Sequence, residues 1–124
     1  FTDVPRWRQF IADDLRRLRK ATARFVLVSH LMERRLPRWA AVVKCPTLLL
    51  LADRDPIIDN ERVLSLLERS LTPGQLRVAR FPAAVHTLEF TADPEPYFRA
   101  LTAWMARENS EGRSPADVGG SPAR

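Results

Sequence analysis

The residues best suited to chemistry are an aspartate and a histidine that each follow an apolar run. Asp55 stands in the polar cluster Asp53-Arg54-Asp55-Pro56, directly after Pro46-Thr47-Leu48-Leu49-Leu50-Leu51-Ala52. His86 stands 31 residues further on, in a loop that opens at Pro82. A carboxylate that accepts from imidazole Nδ1–H fixes the tautomer and leaves Nε2 free to take a proton. The chemistry implied is general base catalysis, with Asp55 as the acid that orients His86. One Asp and one His prove little by spacing alone, because a loop histidine is more often solvated than catalytic.

A nucleophile is harder to place. The glycines are Gly74, Gly112, Gly119 and Gly120, so no G-x-S-x-G elbow can form anywhere in the chain. Ser29 lies inside an expected helix beside His30, and Ser65 lies on the helix after the acid. Neither position offers a sharp turn with backbone donors. His30 reads as a polar residue on an exposed helix face, and Glu89 as a solvated one. Cys45, before Pro46, reads as a buried, inert thiol. As the sole cysteine it excludes an internal disulfide framework and gives no metal-ligand spacing. Trp7, Trp39 and Trp104 read as packing residues.

The elements that must position Asp55 and His86 follow from periodicity. Pro5 to Lys20 predicts an amphipathic helix with Trp7, Phe10, Ile11, Leu15 and Leu18 at three- and four-residue steps. Ala21 to Leu36 predicts a second, stopped by Pro37. The leucine run is short and bounded by polar turns, which favours a strand buried on both faces. Asp59 can cap a helix whose inner stripe is Val63, Leu66, Leu67 and Leu71, ended by Thr72-Pro73-Gly74. Gln75–Phe81 alternates as a second strand, and a last helix from about Asp93 places Phe98, Leu101, Trp104 and Met105 on one face. Residues 109–124 are too poor in apolar side chains to order and read as a disordered tail. The order is helix-helix, then β-α-β-loop-α, an α/β class. Two strands do not complete a doubly covered sheet, so the expectation is that most of the sheet lies elsewhere. The chain starts at Phe1 rather than Met, and is expected to be a piece of a longer protein.

Charge divides the chain. Residues 1–44 hold eleven Lys/Arg against four Asp/Glu, while residues 45–124 hold nine against eleven. The run Arg16-Arg17-Leu18-Arg19-Lys20 could touch nucleic acid or an anionic surface, though such runs are usually solvated helix faces. No stretch reaches the roughly 18 apolar residues of a membrane span. The N-terminus shows no secretory pattern. With one cysteine, a cytoplasmic location is expected.

Two stretches carry a family resemblance. Cys45 to Asp59 resembles the late strand and acid turn of α/β-hydrolases, and Phe81-Pro82-Ala83-Ala84-Val85-His86-Thr87-Leu88-Glu89-Phe90 is similar to their histidine loop. The helix around Trp104 resembles their final helix. The resemblance is to lysophospholipase and monoacylglycerol-lipase-like members, the group labelled serine aminopeptidase-like, and covers about residues 1–107. Family members carry a glycine two residues before the acid, where this chain has Asp53, so Asp53 is the competing carboxylate. Asp55 holds the motif position.

The resemblance implies a helical cap segment over 1–44, a C-terminal α/β-hydrolase core segment over 45–108, and a tail over 109–124. It implies a serine hydrolase that cleaves acyl esters, with Asp55 as acid, His86 as base and the nucleophile outside this chain. An aspartate or cysteine nucleophile would give a different hydrolase of the same fold. The partner implied is a small ester with an apolar acyl chain, with no cofactor and no metal. The alternative reading is a non-catalytic fragment or binding module, with the basic first helix as a nucleic-acid contact.

Overall fold

The structure, a computed structural model, describes residues 1–111. It is a small mixed α/β arrangement of five α-helices and a two-stranded parallel sheet. In chain order these are α1 (Pro5–Asp13), α2 (Ala23–Glu33), α3 (Leu36–Ala40), β1 (Thr47–Ala52), α4 (Asn60–Ser70), β2 (Leu76–Phe81) and α5 (Glu95–Glu111). A short 3-10 turn, Leu88–Phe90, precedes α5.

β1, α4 and β2 form a parallel pair with a helical crossover. Thr47 pairs with Leu76 and the register runs without a bulge to Ala52 opposite Phe81. Asp59 caps α4: its carboxylate accepts the Arg62 N–H at 3.0 Å and supplies an acceptor that the first-turn N–H groups otherwise lack. Gly74, at φ +86, takes the left-handed conformation that turns the chain back toward β2. Gln75 holds the start of the sheet by donating to the carbonyls of Val43 and Cys45 at 3.1 and 2.7 Å.

Few side chains are fully removed from water. Among the described residues they are Leu51, Ala52, Leu71, Ala84 and Leu88. Ala52, Ala84 and Leu88 form one cluster, against which Leu50, Phe81 and Tyr97 pack. That cluster lies at the carboxyl ends of the strands, under the loops that carry Asp55 and His86. The leucine run is buried on both faces only at its end: Thr47–Leu50 are half-buried, because a two-stranded sheet supplies too little cover.

Residues 1–44 depart from the periodicity. The first helix ends at Asp13 instead of Lys20. Asp14 accepts the Arg16 N–H at 2.8 Å and its carbonyl takes the Arg17 N–H at 3.2 Å, a local turn that competes with the next helical turn. Leu15 and Leu18 have no core to face and are 92% and 95% exposed. Pro37 does not stop a helix but enters the first turn of α3, where its missing N–H costs nothing. On α5 the inward residues are Tyr97, Ala100, Leu101 and Trp104, whereas Phe98 and Met105 are exposed. Asn109–Glu111 continue α5 rather than begin a tail, and the rest of the expected tail, 112–124, lies outside the described residues.

Candidate catalytic dyad

The two loops that carry Asp55 and His86 are stitched together by backbone hydrogen bonds. Asp53 N–H donates to the Phe81 carbonyl at 3.1 Å, which continues the sheet ladder one residue past β1. Arg54 N–H donates to the Ala84 carbonyl at 3.0 Å, and Asp55 N–H folds back to Ala52 at 3.1 Å. Asn60 Nδ2 donates to the same Ala52 carbonyl at 2.7 Å, tying α4 to the strand end. The turn 53–55 is thus fixed from β2, from the histidine loop and from α4.

On this frame His86 Nδ1 lies 2.7 Å from Asp55 Oδ2, a short distance typical of a charge-assisted hydrogen bond. The second carboxylate oxygen, Oδ1, accepts the N–H groups of Ile57 and Ile58 at 2.8 and 3.1 Å. The Asp55 side chain is 6% exposed and that of His86 22%. Burial pushes the Asp55 carboxyl up, but the hydrogen bonds from His86, Ile57 and Ile58 outweigh it and hold its pKa below the ordinary 3.8. An ionised Asp55 accepts from Nδ1–H, so the Nε2 lone pair is the one able to take a proton.

Asp53 is turned to other work. Arg80 Nε donates to its Oδ1 at 2.8 Å, and the same guanidinium reaches Glu61 Oε1 at 3.0 Å. These hydrogen bonds raise the Arg80 pKa. Asp55, not Asp53, is the carboxylate that meets the histidine. The sequence signal for the Arg80 bridge is slight: Arg80 is a charged residue in register with Leu51, one step from the strand end.

A further neighbour without sequence signal is Phe1. Its ring stands edge-on to the His86 imidazole at 5.1 Å, and its carbonyl accepts from Thr87 N–H and Oγ1 at 3.3 and 3.2 Å. Thr2 Oγ1 donates to the Phe90 carbonyl at 2.7 Å, and Trp7 packs on Phe90 at 4.9 Å. The amino-terminal segment therefore straps the histidine loop from outside.

The other candidates lie apart from the dyad. Ser29 is on α2 and Ser65 on α4, neither bonded to His86. His30 is exposed, 3.8 Å from Glu33 of its own helix. Glu89 is exposed. Cys45 is exposed rather than buried, because the open start of β1 leaves Cys45 and Pro46 uncovered. No group of three or more His, Cys, Asp or Glu comes together among the described residues. A cavity of about 510 Å³ is lined by Arg54, Phe81, Ala84, Leu88 and Tyr97 among others, and neither Asp55 nor His86 contributes to it. It adjoins the loops but is not where the dyad opens. No family model, no curated protein and no solved structure matches this chain.

Proposed function

We propose that this chain supplies the acid and the base of a hydrolytic triad, as the C-terminal portion of an α/β-hydrolase that cleaves acyl esters. The observation that carries the reading is the 2.7 Å Asp55–His86 contact at the carboxyl ends of two adjacent parallel strands. In open α/β sheets reacting groups gather at that end. The nucleophile, a serine, belongs to sequence outside these residues. His86 Nε2 removes its proton as it attacks the ester carbonyl, then returns the proton to the leaving alcohol. Asp55 keeps the imidazole oriented and stabilises the imidazolium, and its backbone-bonded Oδ1 keeps Asp55 itself from turning. The reaction needs no cofactor. Residues 1–44 serve as cap, the substrate is a small ester with an apolar acyl chain, and the location is cytoplasmic.

The test begins with the reading frame upstream of Phe1, where a strand followed by G-x-S-x-G is expected. The whole protein then hydrolyses p-nitrophenyl acyl esters, and His86→Ala lowers kcat by about 10⁴ or more. The 124-residue chain by itself shows no turnover. A frame without that elbow, or a His86→Ala enzyme that retains full turnover, overturns the reading.

A further inference from the structure

We propose that Arg77, Arg107 and the indole N–H of Trp104 form a binding site for an organic phosphate, at the opposite end of the strands from the dyad. The inference is independent of the Asp55–His86 reading and rests on other residues.

Register decides which side chains meet there. Leu48 lies opposite Arg77, Leu50 opposite Ala79 and Ala52 opposite Phe81. Alternate residues of a strand share a face, and Leu50, Ala52 and Phe81 belong to one apolar cluster with Tyr97 of α5. Arg77 therefore stands on the face that α5 covers, where the strand period asks for an apolar side chain. α5 runs back along that face: Tyr97, Ala100, Trp104 and Arg107 follow at steps of three and four residues, a single stripe. Tyr97 meets Phe81 at the carboxyl end of β2, with ring centroids 6.5 Å apart, and Arg107 reaches the level of Arg77. A cavity of about 420 Å³ at that level is lined by Leu48, Arg77, Val78, Ala100, Trp104 and Arg107. Leu48 and Arg77 stand four residues, about 13 Å, before the strand ends that lead to Asp55 and His86.

The polar groups of this cavity are donors without acceptors. Nε1 of Trp104 is out of water and has no hydrogen-bond partner among the described residues. A donor left in that state costs free energy that an acceptor on a ligand recovers. Neither Arg77 nor Arg107 pairs with a carboxylate among the described residues. Arg77 also borders an adjoining groove with Lys44 and Glu108, whose opposite charges offset each other. The charge selects the occupant. A carboxylate neutralises one guanidinium and leaves the other facing it. A phosphate monoester carries about two negative charges and three terminal oxygens, which match both guanidinium forks and the indole N–H. Leu48, Val78 and Ala100 present no polar side-chain atom, so the rest of the ligand that lies on them is apolar.

The probe is phenyl phosphate at about pH 8, where a phosphate with a second pKa of about 6 is a dianion. It is titrated into the full 124-residue chain, with benzoate and inorganic phosphate as comparisons, and the indole N–H resonances of Trp7, Trp39 and Trp104 are followed by NMR. The Trp104 resonance, assigned by its loss in Trp104→Phe, is expected to shift and saturate while the other two stay in place. Phenyl phosphate should bind about tenfold tighter than benzoate, and tighter than inorganic phosphate, with an affinity that falls as salt is added. Arg77→Gln and Arg107→Gln should each weaken it by about tenfold or more, the scale of a lost hydrogen bond to a charged group. Both side chains are exposed, so unchanged circular dichroism is expected of both variants. Trp104→Phe, which keeps an aromatic ring in the packing and removes the N–H, should weaken binding several-fold. No saturable shift at Trp104, benzoate or inorganic phosphate bound as tightly as phenyl phosphate, or full affinity in either Gln variant overturns the proposal.

Discussion

Asp55 divides its two oxygens between two tasks. Oδ2 faces the imidazole, while Oδ1 is held by the Ile57 and Ile58 amides. A carboxylate held on both sides stays ionised to lower pH than a free one. The consequence for stability has a definite sign. The folded pKa lies below the unfolded one, so between them the unfolded chain binds the proton that the folded chain refuses. The contribution is complete above the ordinary value of 3.8 and is lost as pH falls through the lower folded value. A series of thermal melts in acid should show the wild type losing its advantage over Asp55→Asn in that window; a difference between the two that is independent of pH would contradict the geometry. On the proposed hydrolase reading, Asp55→Asn in the whole protein should lower kcat by about 10⁴ through loss of the imidazole's orientation, while Asp53→Asn, which disturbs Arg80, should leave kcat within a few-fold. The Asp55–His86 meeting was legible in the sequence, because both residues follow runs that end at the same edge of a parallel pair. The Ile57 and Ile58 amides, the Phe1 ring and the Arg80 bridge were not, since each depends on loop geometry or on a contact distant in sequence.

At the scale of elements, legibility follows burial. β1, α4 and β2 were readable because each has an apolar side that the others cover, so hydrophobic period and structure coincide. In residues 1–44 the period is present but most of the apolar side chains stay exposed, and local hydrogen bonds decide the boundaries instead. Asp14 breaks the first helix and Thr22 opens the second, its side chain accepting the Phe25 N–H at 3.1 Å. The same division yields a contrast between two caps of like chemistry. Asp59 caps α4, which packs on β1 and α3. Asp59→Ala should therefore cost about 1 kcal/mol of global stability, read as a lower midpoint in urea at unchanged slope. Thr22 caps a helix that buries nothing. Thr22→Ala should reduce the helical signal before the transition and leave the midpoint alone. Equal shifts for both substitutions would mean that α2 is coupled to the core more tightly than its exposure implies.

At the scale of the whole molecule, the sheet has an unfinished side. Thr47 and Asp53 donate their N–H groups toward β2, to Gln75 and Phe81, at 2.9 and 3.1 Å. Because successive residues of a strand point their amides to opposite sides, Leu49 and Leu51 also donate toward β2. The amides of Leu48, Leu50 and Ala52 then face away from it, and β1 has no second neighbour among the described residues. A strand of four leucines with a free edge is a template for another strand, and in a lone chain it invites association with other copies. In the hydrolase reading, that edge receives the next strand of the parent sheet. Amide exchange followed by NMR tests this directly. In the 124-residue chain, kept dilute, protection along β1 should alternate, slow at Leu49 and Leu51 and fast at Leu48 and Leu50. In the whole protein all four should be slow, because the added strand accepts the two remaining donors. If Leu48 and Leu50 still exchange quickly there, β1 is a true edge and the parent sheet does not continue past it. The dyad would then stand at the rim of a two-stranded unit, without the neighbouring strand whose end would deliver a nucleophile to His86 Nε2.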